Sequence, residues 1–494
     1  MNRPVGIETE YGLNCEGFAG PPDFAFESAM LIHAAPLPVA FRGWDYTDED
    51  PRRDLRGTRV DALEHDPNDL LGSTAQSSRM TREELLADTV LLNGARLYND
   101  HNHPEYCTDA CHTVADLVAQ DRAGEALMHA AENAHNARLD GGRVRLVKNN
   151  TDYHGRSYGC HENYLTLRAV PLDDLVDALV PFLATRQIFA GAGRVGIEGG
   201  DAGVLQLSQR ADFFETVVGI NTTARRPIFN TRDEPHADRT RYRRLHVIAG
   251  DANRSEWATG MKAATTALVL DAVEAGWRAP IRLRDPVAAV RQVSHDLSLG
   301  DVVTLDDGLD VSPLDIQQWW LSACERFRGR DAETDWVLAE WRQVLADLRA
   351  DPTSVSDRVD WAAKLALVRE LNPEPEAARR LDFGYHLLDP ALSVHQWLTD
   401  RGRMRTLVTR AQVEAAHTTP PSGTRAAVRG TLLAKFGTAI TAMEWDRVRL
   451  HRNGVDVTVR LPEVAGPEID QLHALAENAS TIDDVVAALD AKGG

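Results

Sequence analysis

The sequence predicts an α+β protein, one large unit followed by a smaller one. Three observations carry that reading. The chain has 494 residues, too many for one small domain and enough to bury a sizeable core. Short runs of period two are interspersed with long runs of helical period, the patterns that strands and amphipathic helices leave in a sequence. Pro420-Pro421-Ser422-Gly423 then interrupts the pattern, and the residues beyond it have their own order of helix, hairpin and helices. The expected partition is 1–419 and 420–494.

Composition narrows the function classes. The net charge is −20, from 74 acidic against 54 basic residues, which argues against a general nucleic-acid binder because phosphate backbones need a basic footprint. The five cysteines are scattered and odd in number, as in a reducing compartment. The first residues lack an apolar signal core, and no apolar run is long enough to span a bilayer. The expectation is a cytoplasmic protein with no membrane and no nucleic-acid partner.

Taken in order, Val5 to Leu13 alternates as a strand, with Ile7, Thr9 and Tyr11 on one face and Glu8, Glu10 and Gly12 on the other. Two carboxylates on one strand face repel unless a cation sits between them, and Mg²⁺ with a polyphosphate relieves that repulsion. Phe24 to Ala35 reads as a helix stopped by Pro36 and Pro38. The connection from about 47 to 88 is long and weakly periodic, the pattern of a mobile loop beside a site; it includes the polar stretch Gly72 to Arg79.

Asn93 to Tyr106 is the stretch around which the chain is organised. Asn93 and Gly94 form a turn into a short strand that places Arg96, Tyr98 and Asp100 on one face. A cation, a phenol and a carboxylate make a poor core and a reasonable site. Arg96 suits a phosphate or carboxylate, Glu105 suits a hard metal ion, and Asp100 is then placed for chemistry. The competing reading is an edge strand with a solvated face. His101, His103, Cys107 and Cys111 sit close enough to suggest zinc, but their spacing matches no common finger or ribbon.

Val114 to Leu139 is a long amphipathic helix with Arg122 and Glu132 at the solvated edge of its stripe. Arg143 to Val147 is a strand. The loop after it, flanked by Lys148 and Arg156, has the glycines to cover phosphates, and His161 and Glu162 enter the next strand. Leu172 to Ala190 is helical, Val204 to Gln209 a strand, and Tyr242 to Asn253 a strand with Arg244 and His246 on one face. Arg210, Arg232 and Arg244 together could neutralise phosphate charge. Helices come next at Glu256 to Ala275 and over most of Asp315 to Leu371; Trp445 to Leu461 is a hairpin turning at Asn453-Gly454.

Together these segments resemble the family of the Pup ligase and the Pup deamidase/depupylase, relatives of glutamine synthetase-type carboxylate–amine ligases. The matching stretches are GIETEYG from Gly6, NGARLYND and HNHPEY from Asn93 to Tyr106, KNNTD to HENYL from Lys148 to Leu165, LSQR ending at Arg210, NTRDEPHAD from Asn230, and YRRLHVIAGDAN from Tyr242. Within the family, the member that removes Pup is marked by a long loop opened by Trp-Asp-aromatic and Pro-x-Arg-Asp-x-Arg-Gly, here Trp44-Asp45-Tyr46 and Pro51 to Gly57. Other blocks resemble the ligase as well. Asn99 departs from the family, which generally has an apolar residue before that aspartate.

The resemblance implies a glutamine synthetase-like curved antiparallel sheet flanked by helices, with a small C-terminal α/β domain. It implies ATP, or ADP plus phosphate, and Mg²⁺ as cofactors. Pup and pupylated proteins would be the partners, beside a proteasomal ATPase pathway. Glu8, Tyr98 and Glu105 fall on metal-ligand positions, with Glu10, His161 and His246 as further candidates. Arg96, Thr108 and Trp445 fall on nucleotide contacts. Asp100 matches the catalytic aspartate, as nucleophile or as base. The implied activity is hydrolysis of the Pup–lysine isopeptide bond and deamidation of Pup; the alternative is a ligase that consumes ATP through a glutamyl phosphate.

Overall fold

The computed structural model describes residues 1, 3–65, 79–201 and 203–493. Its centre is a seven-stranded antiparallel sheet. The strands are β1 (Val5–Glu10), β3 (Ala40–Arg42), β4 (Thr89–Leu91), β5 (Arg96–Asp100), β6 (His103–Cys107), β8 (Cys160–Leu167) and β9 (Tyr242–Val247), with β2 (Gly12–Glu16) and β7 (Arg143–Val147) paired beside them. The spatial order is β9-β8-β1-β6-β5-β4-β3. This antiparallel sheet flanked by helices agrees with the expected glutamine synthetase-like fold.

One sheet face is apolar because period two puts Val5 and Ile7, Cys160 and Tyr164, and Leu245 and Val247 on the same side. That face packs on α4 (Leu172–Ala190) and α5 (Glu256–Glu274), in a core that also holds Trp257, Trp320, Trp341 and Trp361. Leu97 and Tyr106 bury against α1 (Phe24–Ala34) and α3 (Val114–Asn136) in a second cluster. The other sheet face is polar and open. Among the described residues, no helix is long and apolar enough to cross a membrane.

Asn99 has a structural explanation. It is 1% exposed on the core face of β5. Ser28 Oγ of α1 donates to its Oδ1 at 2.8 Å, and its Nδ2 donates to the carbonyls of Leu85 at 2.8 Å and Ala25 at 3.3 Å. Leu85 lies in α2 (Arg82–Leu86), so one amide ties two helices to the strand. An apolar residue would leave those groups unpaired in the interior. Asn99→Ala is expected to destabilise the fold by about 2–3 kcal/mol, read as a drop in the denaturant midpoint at unchanged slope.

Glu132 is not at a solvated edge: it is buried, and accepts a hydrogen bond from Leu146 N at 3.0 Å, with burial pushing its carboxyl up to about 7. Lys148 does not reach towards phosphates either. It is buried beneath the sheet between Asp121 (2.5 Å) and Glu125 (3.0 Å) of α3. The strand expected at Val204 to Gln209 is reduced to Leu205–Gln206.

Residues beyond 424 form α6 (Arg425–Phe436), a three-stranded sheet of β10 (Ile440–Glu444), β11 (Arg447–Arg452) and β12 (Val455–Arg460), and two further helices. Their apolar cluster takes in Val90 of β4. The β11–β12 turn is Asn453-Gly454, both at positive φ, as the hairpin signal requires. Gly94 is held to glycine twice over: its φ is 83°, and a Cβ there would lie 2.6 Å from Cβ of Ala426 in α6.

Of the long connection expected from about 47 to 88, residues 44–65 and 79–88 are described; Gly72 to Ser78 of its polar stretch lie outside the described residues. The segment 44–65 is pinned at both ends of a cleft, not hanging free. Trp44 stacks edge-on against Trp445 with centroids 5.2 Å apart. Asp45 faces Arg449 at 3.2 Å. Tyr46 OH donates to Asp88 at 2.8 Å and accepts from Arg96 at 2.7 Å. At the far end, Thr231 Oγ1 donates to buried Asp54 at 2.9 Å, and Glu64 N donates to Asn221 at 3.1 Å.

Candidate active site

A cleft of about 660 Å³ lies on the open face of the sheet. Strand alternation brings Glu8 and Glu10 of β1, Arg96, Tyr98 and Asp100 of β5, Glu105 of β6, His161 of β8 and His246 of β9 to its floor and walls. All were expected site residues, and the sheet order makes them neighbours: Glu8 sits opposite His161, Glu10 opposite Glu105, and Tyr98 opposite Glu105.

The two strand carboxylates fall in different clusters of candidate metal ligands. Glu8, His161 and His246 form one group whose ligand atoms lie within 4.8 Å of one another; Glu10, Asp100 and Glu105 form a second. The chemistry of both groups fits a metal. Burial pushes Glu105 well above the usual carboxylate range, and the nearby charges of Asp100, Glu8 and Glu10 push it the same way. Such crowding of acids is relieved by a hard cation, and an all-oxygen set suits Mg²⁺. His246 is 4% exposed, yet neither ring nitrogen has a hydrogen-bond partner. Burial holds its imidazole neutral, well below the usual histidine range, which is the form that ligates metals. The histidine-containing group is the softer of the two.

Glu8 and Glu105 are each held in place by hydrogen bonds. Asn163 Nδ2 donates to Glu8 Oε1 at 2.8 Å, and Arg244 Nη1 donates to the same oxygen at 3.2 Å. Tyr98 OH donates to Glu105 Oε2 at 3.0 Å, and Cys107 Sγ to Glu105 Oε1 at 3.1 Å. Burial disfavours the Asp100 carboxylate, but His101, His161 and Arg232 together outweigh it and hold the group below its ordinary range.

Cations line the opposite wall. Arg210 is buried with its Nε unpartnered, and burial, aided by Arg226, lowers its guanidinium to about 10. Arg232 also has a buried Nε without a hydrogen bond. An anion is the natural complement of both. Arg244 sits apart from them, lining the cavity beyond Glu8 and bonded to Glu8, Asn163 (2.7 Å) and the carbonyl of Glu234 (2.8 Å). Arg226 takes its place on the cleft wall. Arg96 is held under the roof, 2.6 Å from Asp88 and with its guanidinium 4.1 Å from the Trp44 ring centroid.

A narrow cavity opens beyond Glu8, lined by Thr108, Arg244 and, from the C-terminal residues, Arg425 and Trp445. Thr108 Oγ1 accepts from Ile7 N at 3.0 Å, which ties the end of β6 to β1. The aromatic face of Trp445, the arginines and the shared Glu8 suit a nucleotide whose phosphates point to the carboxylates. On the other side the cleft continues through His101, His103, Ser157 and Tyr158 into a groove of about 1000 Å³ lined by Phe24, Phe383, Arg156, Arg379 and Arg380.

The zinc spacing comes to nothing among the described residues: Cys111 is in the core, and no metal-capable group joins it to His101, His103 and Cys107. Cys160 faces the core while His161 faces the cleft, so no thiol–imidazole pair forms. Sequence reasoning missed Asn163, Arg226, Arg425 and the groove. Asn163 was legible, being two residues beyond His161 on one strand; Arg425 lies on a helix whose packing against the sheet is remote in sequence, and Arg226 had no periodic context to mark it.

Known proteins share this chain's sequence and architecture. A depupylase of Acidothermus cellulolyticus is 42% identical over 99% of both chains. A Pup–protein ligase of Acidimicrobium ferrooxidans is 39% identical over 74% of this chain and 84% of its own. The structure of the ligase PafA in complex with Pup superposes with a TM-score of 0.76 at 29% identity, covering 99% of this chain and 95% of that one. The structure of PafA with ADP superposes at 0.71 with 34% identity over 79% and 90%. The model of the Pup-ligase protein family matches residues 3–449, and the chain, with its carboxylate-lined cleft on an antiparallel sheet, belongs to that family.

Proposed function

We propose that this chain is a depupylase and Pup deamidase. It hydrolyses the isopeptide bond between the C-terminal glutamate side chain of Pup and a substrate lysine, and removes the amide where Pup ends in glutamine. The segment from Trp44 to His65 carries the reading. Its Trp-Asp-Tyr and Pro-Arg-Arg-Asp-Leu-Arg-Gly signatures are the residues that pin it across the cleft, and Leu63, Glu64 and His65 line that cleft. The 42% identity to a depupylase over 99% of both chains is consistent with the same assignment.

Pup and pupylated proteins are the partners in this reading. The groove beside His101 has an apolar lining with Arg156, Arg379 and Arg380 among Asp152 and Glu376; its arginines suit an acidic peptide, whose C-terminal side chain it would deliver to Asp100. The Thr108–Trp445 cavity receives the nucleotide. Glu10 and Glu105 would hold Mg²⁺, and Glu8 with His161 and His246 would hold a second cation, the two histidines being the ones that could instead meet a phosphate. Mg²⁺ with ATP, or with ADP and phosphate, would supply positive charge that stabilises the oxyanion developing on the Pup carbonyl. Asp100 acts in one of two ways: as nucleophile its carboxylate oxygen attacks the carbonyl carbon, the C–N bond breaks with the amine taking a proton from water, and a second water hydrolyses the resulting anhydride; as base it takes the proton of the attacking water and passes it to the amine as the C–N bond breaks. Arg210 and Arg232 face the negative charge.

A ligase is the second reading, favoured by the likeness to both PafA structures. A gel assay with a purified pupylated protein, Mg²⁺ and ATP decides between them. Release of Pup without matching ADP formation is the expected result. Conjugate formation from free Pup with one ADP per bond would make the chain a ligase.

A further inference from the structure

The turn from β5 to β6 consists of His101 and Asn102, at φ 46° and 70°. Two central residues in the left-handed region make a type I′ hairpin turn, for which Asn-Gly and Asp-Gly are the easy sequences. Histidine in that region meets a steric penalty that glycine escapes. The side chain that the turn carries at this cost is aimed back at the strand: His101 Nδ1 lies 2.9 Å from Asp100 Oδ2. This is the only hydrogen bond of the Asp100 carboxylate among the described residues. A carboxylate accepts only, so Nδ1 carries the proton.

The setting makes that bond consequential. Asp100 shares its side of the cleft with Glu10 and Glu105, whose charges repel it. Without a donor, nothing in the described residues holds the carboxylate in one rotamer. His101 also stands where the cleft meets the groove, with the His65 ring of the roof 6.4 Å away.

We propose that His101 is a positioning residue for Asp100. From the left-handed turn, its Nδ1–H fixes Oδ2 and leaves Oδ1 presented to the reacting carbonyl. The inference rests on Asp100 being the reacting carboxylate.

Two substitutions separate the hydrogen bond from the turn. Glycine and asparagine both accept positive φ, and only asparagine has a side-chain donor. His101→Gly is expected to lower kcat by about 100-fold, the scale of a misplaced catalytic group, with KM within about threefold. His101→Asn is expected to recover at least about tenfold of that loss, and both variants to melt no lower than wild type because backbone strain is removed. An unimpaired glycine variant, equal impairment of both variants, or a loss confined to KM would each overturn the proposal. The reaction monitored is whichever one wild type performs on Pup, cleavage or conjugation. A wild type that only conjugates therefore refutes the depupylase reading and leaves this test intact. A second measurement needs no turnover: in ¹⁵N-histidine-labelled protein the His101 Nδ1 proton should be visible and downfield, and lost in Asp100→Ala. Its absence from wild type would also sink the proposal.

Discussion

Asp100→Asn is expected to abolish the proposed Pup cleavage, with a loss of at least about 10⁴-fold in single-turnover rate, the range seen when a catalytic nucleophile or base is removed. The amide keeps the size of the carboxylate and still accepts from His101 Nδ1, so the β5–β6 hairpin is preserved. What it lacks is the anionic oxygen that either chemical role needs. Nucleotide affinity should stay within about threefold, because the Thr108–Trp445 cavity is lined by other residues and meets the cleft at Glu8. Gel-based cleavage beside calorimetric titration of ATP checks both halves. More than about one percent residual cleavage, confirmed with Asp100→Ala to exclude deamidation, would remove Asp100 from the chemistry.

Glu105→Gln should produce a crossing pattern in thermal stability that no ordinary destabilising substitution gives. Glu105 is 1% exposed and grouped with Glu10 and Asp100. In metal-free buffer the wild type carries the repulsion that pushes the Glu105 carboxyl upward; the amide removes it, so the variant melts higher. With millimolar Mg²⁺ the wild type gains stability by mass action while the variant gains little, and the order reverses. The Mg²⁺ concentration for half-maximal turnover should rise by about 100-fold or more, since a direct ligand is lost where even supporting groups are worth about 10–100-fold. Parallel melts in chelator and in Mg²⁺ decide it. Equal Mg²⁺-induced shifts for both proteins would place the metal elsewhere.

Much of the site was legible because its residues lie on strands. The pleat turns each successive side chain over, whatever the rest of the chain does, so Glu8 with Glu10, Arg96 with Tyr98 and Asp100, and Arg244 with His246 could be assigned to shared faces from local order alone. The helices at Phe24 and Val114 and the Asn453-Gly454 turn were legible for the same reason, since their signals lie within a few residues. The resemblance of six ordered blocks added the family and, with it, roles that no periodicity carries.

Other features waited on the tertiary structure. Sheet order decided that Glu8 joins His161 and His246 while Glu10 joins Asp100 and Glu105, because β1 lies between β8 and β6 and residues about 100–150 apart in sequence are set side by side. Packing decided that Lys148 is drawn under the sheet by Asp121 and Glu125, away from any phosphate. It also decided that Asn99, anomalous in an apolar position, clamps two helices. Segment 44–65 read as a loose connection because its anchors, Trp445 and Thr231, are remote in sequence. The sequence alone determined which side chains share a face, since that is a property of the backbone period; only the fold decided which faces meet, since strand pairing and ion pairing are made between segments that carry no local record of each other.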